Sequence, residues 1–109
     1  MSRNEELTIV EFDGIHFNGV TYTRLEVPLS HINFDNNGNQ RSEFNAEEIC
    51  KLVFDALEGK FIDPAGKKRL YEYFVYIFEE KTSSKNFKIV FMTEDNTIYI
   101  RIITLFRVR

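Results

Sequence analysis

Apolar and polar positions along this chain follow two periods, one suited to strands and one to a helix. The strand signal is strongest in residues 70–80, 87–93 and 97–109, which fill the last third of the sequence. Each segment is dense in aromatic and β-branched residues, which suit a pleated surface. Turn residues separate them, at 82–86 and 94–96, and connections this short predict an antiparallel meander. In the third segment, alternation predicts a core face of Ile98, Ile100, Ile102, Thr104, Phe106 and Val108. Tyr99, Arg101, Ile103, Leu105, Arg107 and Arg109 point the other way, onto a solvated or anion-binding face.

Towards the N-terminus, residues 7–12 predict a strand that ends in a turn at Asp13-Gly14. Residues 15–17 and 20–27 flank Asn18-Gly19, a pair suited to a type I′ hairpin turn because both central residues need positive φ. Pro28 ends that strand, since it has no N–H for a ladder. Residues 30–34 follow, then an Asn/Gly-rich surface loop over 35–42. One helix is predicted, over 46–58: Asn45 is the N-cap, Glu48 stands at N3 as in a capping box, and Phe44 and Ile49 form a hydrophobic staple. Ile49, Leu52, Val53, Ala56 and Leu57 make its apolar stripe, and Gly59 stops it. Residues 63–69 connect it to the final sheet. The fold class is therefore α+β: a twisted antiparallel sheet of about five or six strands with one main helix packed on one face.

A chain of 109 residues suits a single domain, with the polar residues 1–6 expected to fray. No apolar run reaches membrane-spanning length, and the first residues lack a signal peptide's apolar segment. The single Cys50 supports neither an internal disulfide nor a cysteine-rich metal site, and reads as a small, partly buried hydrophobe. A cytoplasmic protein without membrane contact is expected. The net charge of −3 conceals an asymmetry: residues 1–63 hold five Lys/Arg against twelve Asp/Glu, residues 64–109 nine against five. The acidic total disfavours indiscriminate nucleic-acid binding, while the basic half leaves room for a local anion site.

Walker and G-x-G-x-x-G loops are absent, His16 and His31 have no zinc-binding spacing, and Ser83-Ser84 lacks a nucleophile elbow. No cofactor or metal is expected. What remains is His31, Arg41, Tyr99, Arg101 and Arg107, with the basic run Lys67, Lys68 and Arg69. Metal-free RNA cleavage needs little more. A histidine moves protons near neutrality, arginine forks grip the phosphate, and an exposed tyrosine stacks a base. Plainer roles stand beside each of these: His31 and Arg41 as loop residues, Arg101 and Arg107 as a solvated strand face, and the tyrosines as sheet packing.

The order Ser30-His31, a gap, Arg41-Ser-Glu-Phe-Asn-Ala-Glu-Glu-Ile49, a helix ending at Gly59 and then three strands resembles the small ribonuclease toxins of the barnase–EndoU–colicin–RelE superfamily. The ending Ile100-Arg-Ile-Ile-Thr-Leu-Phe-Arg-Val-Arg109 is similar to the close of BrnT-type toxins. The resemblance covers roughly residues 27–109. It implies a RelE/barnase-like fold, metal-independent endoribonuclease activity, RNA as substrate and a cognate antitoxin as partner in a toxin–antitoxin system. It also implies that His31 is the acid/base, with Arg41, Thr104 and Arg107 in the catalytic set. Arg101, Tyr99, Lys67, Lys68 and Arg69 would bind the RNA. Strict alternation, however, puts Thr104 and Arg107 on opposite faces, so they line one site only where a bulge intervenes. The second reading, from another class, is a non-enzymatic inhibitor or assembly factor that binds a protein through the aromatic sheet face or a strand edge.

Overall fold

The structure, a computed structural model, describes residues 7–34, 37–40 and 42–108. The expectations for residues 1–6, for Arg41 and for Arg109 lie outside the described residues. Six strands, β1 (Thr8–Phe17), β2 (Val20–Val27), β3 (Gly66–Lys68), β4 (Tyr71–Glu79), β5 (Asn86–Glu94) and β6 (Tyr99–Val108), form one sheet in the order β1-β2-β6-β5-β4-β3. Two helices, α1 (Leu29–Asn33) and α2 (Ala46–Leu57), are the helices among the described residues. The sheet is mixed and curls into a half-barrel around α2, the main helix. An all-antiparallel sheet is not what forms: β2 runs parallel to β6, over Arg24–Glu26 and Tyr99–Arg101 only.

Local signals act where they are strong. Asn18 (φ 50°) and Gly19 (φ 76°) both take positive φ in the β1–β2 turn. The Asn45 side chain accepts from the Glu48 N–H at 2.8 Å, while the Glu48 carboxylate accepts from the Asn45 N–H at 3.0 Å. Together they satisfy two N–H groups that the first helical turn would leave bare. The stripe Ile49, Leu52, Val53, Ala56 and Leu57 is buried throughout. Asp13-Gly14 does not end a strand; β1 continues through it, with its register to β2 shifting between Glu11 and Ile15. Gly14 (φ 139°) is needed there, because a Cβ would stand 3.0 Å from Thr21 Cγ2. The connection at 63–69 contributes the short edge strand β3, and residues 29–33 form the helical turn α1.

Since β2 and β6 share so short a ladder, side chains hold the two halves of the sheet together. Phe17 of the hairpin meets Phe74 and Phe91 of the meander edge-on, at 5.1 and 5.4 Å between ring centroids, and those two stack on each other at 4.9 Å. Each such pair adds about 0.5–1.5 kcal/mol beyond its buried area. Two asparagines anchor the segments flanking α2. The Asn18 amide donates to the Ile62 carbonyl (2.9 Å) and accepts from the Ile62 N–H (2.8 Å). Asn33 does the same with Phe44, at 2.8 and 2.9 Å. Each side chain thereby imitates a backbone strand partner and satisfies both polar groups of a residue outside any ladder.

Candidate functional site

Burial along β6 departs from alternation. Ile100 and Ile102 are buried, as is Leu105, while Phe106 is 38% exposed. The cause lies in the pairing with β5: Phe91 stands opposite Ile102 and Val90 opposite Thr104, so Ile103 is an extra, unpaired residue. This bulge reverses the face presented by everything after it. Thr104 and Phe106 move to the outer face, away from α2, and Leu105 moves into the core. Arg101 and Arg107, six residues apart, thus do not share a face. The bulge precedes Thr104, so Thr104 and Arg107 still diverge; Thr104 instead joins Arg101.

Residues paired directly across strands present their side chains to the same face, so the outer face can be read in rows. Tyr73, Met92, Arg101, Glu26 and Ile9 form one row. Val75, Val90 and Thr104 form the next, followed by Ile77, Lys88 and Phe106. The end nearest Tyr99 is polar and charged; the other is mostly apolar, with Val75 46% and Ile77 58% exposed beside Thr104 and Lys88.

At the polar end, Glu26 is almost fully buried between two arginines. Its Oε1 accepts from Arg101 Nε (2.8 Å) and lies 2.7 Å from Arg101 Nη2; its Oε2 accepts from Arg24 Nη2 (2.9 Å). Burial opposes ionisation of Glu26, but the hydrogen bonds and charges of Arg101 and Arg24 outweigh it and hold the carboxyl below its ordinary range. Two guanidinium groups sharing one carboxylate leave a single positive charge. The Tyr99 ring lies 5.9 Å from both guanidinium carbons, and its hydroxyl donates to Glu94 Oε1 at 2.5 Å. Burial, reinforced by that hydrogen bond to an anion, pushes the phenol up to about 12. Arg24 Nε is buried without a hydrogen-bond partner among the described residues.

The residues singled out from sequence are brought together only in part. His31 on α1 and Arg101 line one cavity of about 430 Å³, with Leu7, Pro28, Ile102 and Ile103. Thr104 lies on the outer face beyond it. Lys67, Lys68 and Arg69 sit in or beside β3, three strand spacings from β6, on the order of 14 Å away. Lys67 turns towards Asp95 (3.6 Å), and Arg69 (φ 58°) is a turn residue. Among the described residues, no three His, Cys, Asp or Glu side chains gather in a group able to hold a metal ion, and no helix is long and apolar enough to cross a membrane. Sequence reasoning missed Arg24 and Glu26. Their two-residue spacing in a strand was visible, but Arg101, 75 positions from Glu26, becomes a neighbour only through the parallel β2–β6 pairing.

No protein-family model matches this chain, and neither a search of curated proteins nor one of solved structures finds a match.

Proposed function

We propose that this chain is a non-enzymatic interaction protein, an inhibitor or assembly factor, that takes an extended segment of a protein partner along the edge of β6. The observation that carries this reading is the brevity of the β2–β6 ladder. Beyond Arg101, β6 pairs among the described strands only with β5; α1 packs against β6, and along the rest of residues 102–108 the second edge has no described strand partner, beside the mostly apolar half of the outer face. That half spans three strands and about five residues, roughly 250 Å² from ordinary strand dimensions. A stable face-to-face contact needs about 800 Å² per partner. Main-chain hydrogen bonds from an added strand supply what so small a patch lacks. The two nitrogens that Arg101 commits to Glu26 also favour this reading over one in which Arg101 grips a phosphate.

One observation favours a second reading, a metal-independent endoribonuclease of RelE/barnase-like fold with an antitoxin partner: His31 and Arg101 share a cavity. His31 would then move the 2′-OH and leaving-group protons, and the net charge of the arginine pair would stabilise the phosphorane. A cytoplasmic site of action belongs to both readings. Induction in a bacterial host separates them, using wild type, His31→Ala and Phe106→Lys, with growth, RNA integrity and affinity-captured partners as readouts. The interaction reading expects intact RNA, and one partner retained by His31→Ala but lost with Phe106→Lys. Growth arrest with cut RNA, abolished by His31→Ala, overturns it in favour of the nuclease.

A further inference from the structure

A second surface, lined by other residues, lies between β1, α2 and Thr82 of the β4–β5 connection. It is a groove of about 490 Å³, within the range of ordinary binding pockets. Phe12 from β1 and Cys50 and Phe54 from α2 make its apolar part. Phe54 is 44% exposed on a helix whose core stripe is otherwise buried. Burial, with the nearby Glu47 charge, pushes the Cys50 thiol up, so it stays neutral and serves the apolar floor. Asp13, Glu47 and Asp55 line the rim, opposed there by Lys51 alone. None of the three forms an ion pair with a described residue.

We propose that this groove binds a basic segment of a protein partner, seating an apolar anchor side chain between Phe12 and Phe54 while Asp13, Glu47 and Asp55 meet its cations. The site is distinct from the β6 edge and does not depend on it. The sign of the rim excludes nucleic acid, whose phosphates these carboxylates repel. The form of the partner follows from β1. This is the terminal strand of the sheet, but the register shift across Phe12, Asp13 and Gly14 breaks the regular edge that an added strand requires. The groove therefore receives side chains, as from an amphipathic helix, rather than main chain. The surplus of acidic residues in 1–63 extends the attraction beyond the rim and speeds encounter at low salt.

Three synthetic peptides of equal length test this: Lys/Leu amphipathic, Lys/Ser with the same charge, and Glu/Leu with the same pattern. They are titrated into the isotopically labelled chain and followed by backbone amide shifts. The expected result is binding of the Lys/Leu peptide alone, with shifts centred on Gly14, Cys50 and Phe54, weakening as salt rises. Asp55→Lys with Glu47→Lys weakens it at least tenfold, Lys51→Glu tightens it, and Phe54→Ser weakens it without changing the salt dependence. Equal binding of Lys/Ser and Lys/Leu peptides overturns the anchor. Shifts centred on another surface, or no binding at low salt, overturn the site. The wild-type titration decides this even where a variant folds poorly.

Discussion

Truncating Leu105 and Phe106 one at a time distinguishes the bulged register of β6 from strict alternation, and the register decides which side chains share a surface with Arg101. Leu105 has no exposed surface, whereas Phe106 lies on the outer face with Lys88 Nζ 6.0 Å from its ring centroid. Leu105→Ala removes three carbons from the core, a transfer loss of about 2.4 kcal/mol at about 0.8 per group. A residual cavity of up to about 60 Å³ adds about 1.4 kcal/mol. The expected cost is about 3–4 kcal/mol, a fall in Tm on the order of 12–15 °C for a domain of this size. Phe106→Ala, at a position already 38% exposed, costs about 1–2 kcal/mol, the buried share of the about 1.5–3 kcal/mol for fully burying such a side chain, with no closed cavity left behind. Urea unfolding followed by circular dichroism, with the m-value held constant across variants, measures both. Strict alternation predicts the reverse order, because a Phe→Ala truncation in a core costs about 3–5 kcal/mol. A Phe106→Ala cost equal to or above that of Leu105→Ala refutes the bulge and the outer-face grouping built on it.

Glu26→Gln leaves Arg24 and Arg101 without their anion and destabilises by about 2 kcal/mol, less than a fully buried pair would because both arginines are partly solvated. Its carboxyl is held below its ordinary value of 4.5, so its contribution is complete above that pH and is lost as pH falls through the lowered folded value. Stability–pH curves of Glu26→Gln lack that acid-side loss. Asn18→Asp keeps the positive φ that Asp tolerates but removes the donor to Ile62, costing about 1–3 kcal/mol and speeding hydrogen exchange at the Ile62 amide. Absorbance titration at alkaline pH is expected to find the Tyr99 phenol ionising at about 12. Tyr99 stabilises fully below its ordinary value of 10.0, and that contribution is lost as pH climbs through 12. Glu94→Gln brings this ionisation down, and an unchanged profile counts against the Tyr99–Glu94 hydrogen bond.

What the sequence determined by itself was local. The Asn18-Gly19 turn, the Asn45/Glu48 capping box and the apolar stripe of α2 each rest on residues a few positions apart, and backbone sterics or helical spacing suffices to place them. Tertiary structure decided the faces of the last strand. Ile102-Ile103-Thr104-Leu105-Phe106 is apolar on both parities, so burial alone does not select a register, and packing against β5 and the curl around α2 settle it with a bulge at Ile103. The candidate site depended on the same step. Alternation grouped Arg101 with Arg107, but the bulge parts them and gives Arg101 the company of Thr104, while α1 brings in His31 and the parallel strand β2 brings in Arg24 and Glu26. A buried carboxylate shared by arginines that are distant in sequence leaves no periodic trace, because its partners are chosen by strand order, which only the folded sheet specifies.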